Sequence, residues 1–544
     1  MKLFQHHKLI LYSLATGLLL ALSWPARGFP LLAFVAFIPL FFIEDDLLKR
    51  KKENRSIVFF LYAWAAFFVF NLLTTWWIMY ATIPGMIVAV VLNSFFMAMP
   101  WWLMHLGRRL VPGRQGSLSV VFLWLSFEFL HGRWELSWSW LDIGNVFAAY
   151  PAWVQWYEIT GTAGGALWVL AVNFLLFLTV KSQINARRFN KASIGMAVLA
   201  MAFFLVPAVI SVGIWRSYQE AVDPVHIVIL QPSEDPYEDV LSNMELQKRV
   251  DKMINLANSK MTSETKFIVA PEAANPQGIW MNVAEFHPTV QRIREHIADN
   301  PGIVWVLGSF TYELYELDDH IPPEARSLAS SDQLYVAYNS VVMIEEGRPL
   351  QYYHKSKLVP GIERMPYFRF LGPVGRIVDM FGGISGSLGT QATRTALKTD
   401  AGQHLGAVVC YESIYGEFMT GFVRDMADVI FILTNDGWWR NTPGYRQHNQ
   451  YARLRAIELR RSIARSASTG ISSFINQRGE IIKSTQWWEV TAISSEINRN
   501  REITPFSASG NFLGRLSLFI SAFILLQMVT QWLIGRGRSG KKPL

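Results

Sequence analysis

The stretch Phe267-Ile-Val-Ala-Pro-Glu272 is a short run of β-branched and apolar residues that ends at a proline and a carboxylate. Short runs of this kind, bounded by turn-forming residues, predict strands that are buried on both faces. Similar runs lie at 226–230, 303–307, 407–410 and 429–433, and helical patterns lie at 244–259 and 289–298. Alternating buried strands and helices predict an α/β layered domain over residues 222–496.

The sequence on both sides of this domain is far more apolar. Of the 544 residues, 51% are hydrophobic and only 17% are charged, which is not typical of a soluble protein. A bilayer core takes roughly 20 helical residues to cross. Apolar runs lie at 8–24, 29–43, 56–80, 82–106, 117–130, 161–180, 192–215 and 512–534. The second and fifth are short, so each is either a crossing or a tilted or re-entrant helix.

Four regions follow from these runs. Residues 1–220 form a membrane domain with about seven transmembrane helices, and residues 222–496 form the layered domain. Residues 512–535 are a C-terminal transmembrane helix, followed by a basic tail at 536–544. The first apolar run has no small-x-small cleavage site, so we interpret it as a retained anchor.

Lysine and arginine are concentrated in alternate loops, at 44–55, 107–116, 181–191 and the tail. The intervening loops carry almost none apart from Arg27 and Arg133. This positive-inside pattern predicts eight crossings with both ends in the cytoplasm and residues 222–496 outside. We therefore assign the net charge of +8 to membrane orientation and not to nucleic-acid binding.

Three reactive side chains follow predicted strands. Glu272 follows the opening stretch, Lys355 follows the strand at 339–344 and its turn, and Cys410 ends the run at 407–410. Strand ends in α/β sheets are where catalytic groups gather. A cysteine attacks as its thiolate, so it needs a base or a nearby cation, and the oxyanion that follows needs donors. Glu272 can supply the base and Lys355 the cation. Taken alone, however, a single cysteine is more often an inert buried residue.

The motifs around these residues resemble those of the nitrilase superfamily. They are Pro271-Glu272, Tyr353-His-Lys355-Ser-Lys-Leu358-Val-Pro360, Cys410-Tyr-Glu412, Thr434-Asn-Asp-Gly-Trp-Trp439, Gln447-His448 and Arg455-Ala-Ile-Glu458. With membrane helices on both flanks, the chain resembles the bacterial apolipoprotein N-acyltransferases. The loop Pro360-Gly-Ile-Glu363 departs from the Pro-Phe-Gly-Glu common in that family but keeps the glutamate.

The resemblance implies an αββα sandwich with Glu272 as general base, Lys355 as oxyanion stabiliser and Cys410 as nucleophile. The residues implied as supports are Glu363, Glu412 and Tyr411. It further implies acyl transfer from a phospholipid, usually phosphatidylethanolamine, through a cysteine thioester to the α-amine of a diacylated lipoprotein. The expected setting is the inner membrane, with a monomer whose catalytic domain faces the periplasm and needs no metal or other cofactor.

Other residues are weaker candidates. Tyr237 stands where the family carries an aromatic residue, and Trp438, Trp439 and the segment at 365–370 either reach the membrane interface or pack in the core. We interpret Asn435, Asp436, His448 and Arg455 as structural residues and not as substrate contacts. Glu128 and Asn173 lie within apolar runs, where polar groups suggest function by default, although Glu128 also suits an interface.

Two other functions remain open. A membrane-tethered amidase would use the same residues but would resolve the acyl-enzyme with water. A receptor or transporter would carry the layered domain in an inactive form, although the helices do not show the paired, interrupted halves of many transporters. The many predicted helices favour a lipid substrate over a small soluble amide.

Overall fold

The computed structural model describes residues 2–111, 116–186, 190–237, 243–316, 321–328, 333–364 and 387–539. It forms two compact units. The helical unit comprises Met1–Met79, Ile83–Ile214 and Asn511–Leu544, and the sheet unit comprises Tyr80–Thr82 and Trp215–Gly510.

The helical unit contains the long apolar helices. Its helices are α1 (Lys2–Ser23), α2 (Ala33–Ala36), α3 (Ile38–Lys49), α4 (Ile57–Thr75), α5 (Ile83–Leu110), α6 (Ser119–His131), α7 (Tyr157–Thr160), α8 (Thr162–Ala186) and α9 (Lys191–Ser217), with the last helix of the chain at Phe512–Ser539. Among the residues that the structure describes, five stretches are long and apolar enough to cross a membrane: Ile57–Tyr80, Ile83–Leu110, Thr162–Ala186, Lys191–Ser217 and Phe512–Ile534. They coincide with five of the eight predicted crossings.

The other three predicted crossings differ in form. All but the last residue of the run at 8–24 lies in the 22-residue helix α1, and the run at 117–130 gives only the 13 residues of α6. The run at 29–43 is divided between α2 and α3, which meet at Phe37. The number of crossings and the orientation therefore stay predictions.

Asn173 accounts for the break in the second run. Its side-chain oxygen accepts a hydrogen bond from the N–H of Phe37 at 2.8 Å, and its amide donates to the carbonyl of Ala33 at 2.8 Å. Backbone groups that leave a helix within an apolar region need such a partner. Asn173 therefore has a structural role here.

Glu128 has a similar role at the end of α6. One of its carboxylate oxygens accepts from the indole N–H of Trp124 and from the backbone N–H of Ile143, each at 2.8 Å. The contacts connect α6 to the loop that follows it, which gives this buried carboxylate a structural explanation.

The sheet unit contains two sheets. Its strands are β1 (Pro224–Gln231), β2 (Thr265–Val269), β3 (Asn275–Trp280), β4 (Val304–Tyr315), β5 (Arg326–Ser327), β6 (Leu334–Ile344), β7 (Gln351–His354), β8 (Leu397–Lys398), β9 (His404–Val409), β10 (Val429–Thr434), β11 (Ile463–Ala467), β12 (Ser473–Ile475), β13 (Ile481–Ser484) and β14 (Thr491–Asn498). One sheet has the order β14-β1-β2-β4-β6-β5, with β3 beside β4 and β7 beside β6. The other has the order β13-β12-β11-β10-β9-β8.

Helices cover the sheets and complete the layers. Those of the sheet unit are α10 (Asn243–Asn258), α11 (Pro288–Asp299), α12 (Gly416–Arg424), α13 (Pro443–Leu459) and α14 (Pro505–Ser509), and the chain's last helix is then α15. Alternate residues of the first sheet, such as Val228 and Ile268, pack in one core cluster with Val250 of α10 and Ile293 of α11. On the opposite face, Phe267 meets Phe431 of the second sheet at a ring distance of 5.4 Å. The predicted αββα sandwich is confirmed.

The strand that leads to Lys355 was not predicted. Lys355 was expected directly after a strand and a turn, but β7 lies between that turn and the lysine. It pairs antiparallel with β6, so that His354 lies opposite Ser340. This pairing delivers Lys355 to the same sheet as Glu272.

Candidate active site

Glu272 lies where a loop passes unusually close to a neighbouring strand. It follows β2, and the backbone N–H of Gly308 on β4 donates to the carbonyl of Pro271 at 3.1 Å. A Cβ atom at Gly308 would lie 2.5 Å from the Cα of Glu272 and 2.6 Å from that carbonyl oxygen. Only glycine allows this approach, which sets the position of the Glu272 backbone.

Lys355 joins two carboxylates. Its Nζ lies 3.2 Å from Oε1 of Glu272 and 2.9 Å from Oε1 of Glu363. The amide of Asn339 on β6 donates to the same two oxygens, at 2.8 and 2.9 Å. The N–H of Val359 donates to the other oxygen of Glu363 at 2.8 Å. The structure therefore brings three predicted site residues together, with an asparagine that was not predicted.

The two carboxylates keep the buried ammonium group charged. Lys355 is only 1% exposed, and burial by itself lowers the pKa of its ammonium group. The negative charges of Glu272 and Glu363 outweigh that effect, so the pKa of Lys355 is raised above its usual value. The ammonium group of Lys355 can thus stabilise a negative charge that develops nearby.

Cys410 lies at the end of β9, where the chain turns sharply into a 3-10 turn over Cys410–Ile414. Its φ is +47°, in the left-handed region that non-glycine residues rarely adopt. In the parallel pairing of β9 with β10, Val409 lies opposite Leu433, so Cys410 follows β9 at the level of Thr434, the last residue of β10. The sulfur is presented from a strained turn, as nucleophiles on strand-to-helix turns often are.

The Cys410 thiol shares its surroundings with the other two residues. Burial raises the pKa of the thiol well above its usual range, and the charge of Glu272 raises it further. The charge of Lys355 and a hydrogen bond with Thr434 oppose this rise. The backbone N–H of Asn435 donates to Oε2 of Glu272 at 3.0 Å, which links the loop after β10 to the carboxylate. The resting thiol is therefore protonated near neutral pH, and its attack needs a base.

Glu412 connects the loop that follows Lys355 to the turn that begins at Cys410. Its Oε1 accepts from the hydroxyl of Tyr353 at 2.9 Å and from the N–H groups of Ser356 and Lys357 at 2.6 and 3.1 Å. Its Oε2 accepts from the N–H of Val409 at 3.0 Å. Burial raises the pKa of Glu412, although these donors oppose the rise. One carboxylate thus fixes the residues next to both Lys355 and Cys410.

The remaining predicted residues differ in how far they are exposed. Tyr411 is buried, and its hydroxyl accepts from the hydroxyl of Tyr415 at 2.8 Å. Tyr237 and Trp438 are 44% and 42% exposed, with ring centroids 5.2 Å apart. Trp439 is partly buried, with its ring centroid 5.7 Å from that of His448. The segment at 365–370 lies outside the described residues.

Among the residues described, no three His, Cys, Asp or Glu side chains are grouped so that they could hold a metal ion. The arrangement supplies instead a thiol, two carboxylates and an ammonium group. These are the groups required for attack on an acyl carbon, proton transfer and stabilisation of an oxyanion.

Two family models and several curated relatives match this chain. Residues 16–175 match the family model of the apolipoprotein N-acyltransferase N-terminal domain, and residues 229–503 match that of carbon-nitrogen hydrolase. The chain is 28% identical to an apolipoprotein N-acyltransferase of Chlorobaculum tepidum over 94% of this chain and 95% of that protein. It is 25% identical to one of Rhizobium meliloti over 86% of this chain and 85% of that protein.

Among solved structures, the chain is similar to Saccharomyces cerevisiae Nit3, a member of the nitrilase superfamily. The identity is 16% and the TM-score is 0.36, over 53% of this chain and 95% of that one. The two matched family models fall largely in the helical unit and in the sheet unit, respectively.

Proposed function

This chain belongs to the carbon-nitrogen hydrolase family and has an N-terminal domain of the apolipoprotein N-acyltransferase type, and from that premise we propose that it N-acylates lipoproteins. The acyl donor is a membrane phospholipid, and the acceptor is the α-amine of an N-terminal diacylglyceryl-cysteine. One observation carries the proposal. The ion pair of Glu272 and Lys355, whose charged atoms are 3.2 Å apart, influences the buried thiol of Cys410, and the described residues of the same chain include five helices long and apolar enough to cross a membrane.

In the first half-reaction, the Cys410 sulfur attacks the carbonyl carbon of the phospholipid ester. Glu272 takes the thiol proton, which is needed because burial raises the pKa of that thiol well above its usual range. The ester C–O bond then breaks, Glu272 returns the proton to the leaving oxygen, and a thioester remains on Cys410. A lysophospholipid is the first product.

The oxyanion formed during attack needs donors that are already in place. We assign this role to Nζ of Lys355 and to the backbone N–H of Tyr411, the residue after the nucleophile. Glu272 and Glu363 hold the lysine charged at 3.2 and 2.9 Å, so the cation does not have to be recruited during the reaction. Glu363 and Glu412 act on the lysine and on the backbone around it, not on the substrate.

In the second half-reaction, the acceptor amine attacks the thioester carbon. Glu272 takes a proton from the amine, the C–S bond breaks, and the thiolate of Cys410 regains the proton from Glu272. An amide bond is formed and the resting enzyme is restored. No metal or other cofactor takes part in this scheme, and one copy of the chain contains every group that it uses.

The proposed setting is the inner membrane, with the sheet unit on the periplasmic side. The basic loops at 44–55, 107–116 and 181–191 favour this orientation. Phosphatidylethanolamine is the donor that the family resemblance suggests. A lipid donor also fits the membrane helices, since a soluble amide substrate needs no such anchor.

Mass spectrometry of the intact purified protein tests the proposal. After mixing with phosphatidylethanolamine vesicles that contain one type of acyl chain, we expect a mass increase of one acyl group on Cys410. A diacylated lipopeptide should then remove that mass and gain it as an amide. Cys410→Ala should stay unmodified, and Cys410→Ser reports whether a weaker nucleophile is acylated more slowly.

Other outcomes identify the alternatives. Release of free fatty acid from the acylated protein without transfer to the lipopeptide would indicate a hydrolase. Release of ammonia from small amides, without acylation by phospholipid, would indicate an amidase. If the function of the chain were unchanged in Cys410→Ala, the chain would be a receptor or transporter whose layered domain is catalytically inactive.

A further inference from the structure

The conformation of Cys410 must be stabilised by its neighbours. A residue with a Cβ atom held at a φ of +47° is strained, and such residues persist only where the surrounding structure holds them. The carbonyl oxygen of Cys410 makes contacts that can stabilise this conformation. It accepts from the hydroxyl of Ser413 at 2.7 Å and lies 3.2 Å from Nε2 of His448. Nε2 of His448 also lies 2.9 Å from Oγ of Ser413, whose proton is donated to the Cys410 carbonyl, so Nε2 carries a proton that these two oxygens share.

His448 is itself held by a buried ion pair. Its Nδ1 lies 3.0 Å from Oδ1 of Asp436, whose Oδ2 accepts from Arg465 at 2.7 Å. All three side chains are fully buried. They come from three elements: His448 from α13, Arg465 from β11 and Asp436 from the turn that follows β10.

Gly470 leaves the space that the side chain of Asp436 occupies. A Cβ atom at Gly470 would lie 2.3 Å from Oδ2 of Asp436. Burying an ion pair costs free energy that a well-packed apolar cluster would not, so stability alone does not favour it. It does fix the direction of an imidazole ring, because the pairing at Nδ1 determines where Nε2 points.

We propose that His448, oriented by Asp436 and Arg465, is a positioning residue that holds the Cys410 turn so that the sulfur and the following N–H face the substrate carbonyl. From the sequence, Asp436 and His448 were expected to be structural residues. The contact from Nε2 of His448 to the carbonyl of Cys410 is the basis for adding the positioning of Cys410 to that structural role. The inference rests on the proposed function, since the aim of the sulfur matters only if Cys410 is the nucleophile.

Two conservative substitutions separate positioning from packing. The amide nitrogen of Gln reaches roughly where Nε2 of histidine lies, and that of Asn reaches roughly where Nδ1 lies. His448→Gln can therefore keep the contact with Cys410, and His448→Asn can keep only the contact with Asp436. The matched controls are His296→Gln and His296→Asn, which change a buried histidine of α11.

The rate of Cys410 acylation in a single turnover is the first measurement. A displacement of a reacting group by about 1 Å can cost about 100-fold in rate. We expect such a loss in His448→Asn, a rate within about fivefold of the original chain in His448→Gln, and little change in either control. The KM for the lipopeptide should be unchanged in all four variants.

Alkylation of Cys410 by iodoacetamide is the second measurement, and it does not depend on acyl transfer. The alkylation rate should change in His448→Asn and stay near the original in His448→Gln. Equal rates in these two variants, in both measurements, would overturn the positioning role. If the original chain is not acylated by phospholipid at all, the proposed function fails, but the alkylation rates still test the positioning of Cys410.

Discussion

Oε1 of Glu363 lies 2.9 Å from Nζ of Lys355, and these two residues are eight positions apart in one loop. The same oxygen accepts from Asn339 at 2.9 Å, and the other oxygen accepts from the N–H of Val359 at 2.8 Å. Glu363 therefore fixes both the charge of the lysine and the shape of the loop that carries it. The glutamate makes these contacts although the residues before it depart from the common family pattern.

The first prediction concerns the charge of Glu363. In Glu363→Gln, Lys355 loses one of the two negative charges that raise its pKa, so that pKa should fall. Since the reaction needs charged Lys355, the decline of acyl transfer at alkaline pH should move to lower pH. The rate at neutral pH should fall about tenfold or more. A pH profile of single-turnover acylation measures both effects.

The control for this prediction is Glu346→Gln, which removes an exposed carboxylate from the turn between β6 and β7. It should leave the pH profile unchanged. An alkaline limb that stays in place in Glu363→Gln would mean that Glu363 does not set the charge of the lysine.

The second prediction separates the reactivity of Cys410 from catalysis. The charge of Glu272 raises the pKa of the Cys410 thiol. In Glu272→Gln that pKa should fall, so more thiolate is present at a given pH, and alkylation by iodoacetamide at pH 7 should become about 10-fold faster. Acylation by phospholipid should nevertheless be lost, because the base has been removed. Parallel alkylation and acylation assays on one preparation test this opposite response.

Lys355→Met should change the pKa of the Cys410 thiol in the opposite direction. The charge of Lys355 lowers the pKa of the thiol, so its loss should slow alkylation as well as acylation. If Glu272→Gln slowed alkylation as well as acylation, the charge of Glu272 would not be what limits the amount of Cys410 thiolate.

The third prediction concerns Gly308. In Gly308→Ala, the new methyl group meets the backbone of Pro271 and Glu272 at 2.5–2.6 Å, and these atoms cannot move aside as a flexible side chain would. The loop must shift and carry Glu272 with it, so acylation should fall about 100-fold. Gly213→Ala is the matched control, because nothing lies within 4 Å of the added atom. Acylation rates and thermal unfolding of both variants distinguish a displaced base from a general loss of stability.

The sequence predicted the α/β layered domain well because buried strands have a recognisable pattern. The runs at 226–230 and 429–433 correspond to β1 and β10, and the patterns at 244–259 and 289–298 correspond to α10 and α11. Their strand ends also directed attention to Glu272 and Cys410. Patterns of this kind depend only on neighbouring residues, so a single sequence is sufficient to detect them.

The details of the site depend on contacts between distant residues. The position of Asn339 follows from the pairing of β6 with β4 and β7, and the sequence offered only a faint signal, a carboxamide at the start of the predicted strand 339–344. Gly308 gave no signal, since a glycine in a strand does not reveal which backbone approaches it. The break at Phe37 likewise depends on Asn173, which lies far away in the sequence.

The last prediction concerns orientation in the membrane, and the single cysteine makes it simple to test. Cys410→Ala gives a chain without any cysteine, into which one can be introduced at Lys52, in a predicted cytoplasmic loop, or at Lys260, after α10 in the sheet unit. Both lysines are exposed, so both positions can react once a reagent reaches them. The excess of Lys and Arg at 44–55 predicts that this loop stays inside. A membrane-impermeant maleimide should therefore label Lys260→Cys in intact spheroplasts and Lys52→Cys only after the membrane is opened. Labelling in the reverse order would place the sheet unit in the cytoplasm, away from the lipoprotein acceptor, and the proposed setting would be wrong even if Cys410 is acylated.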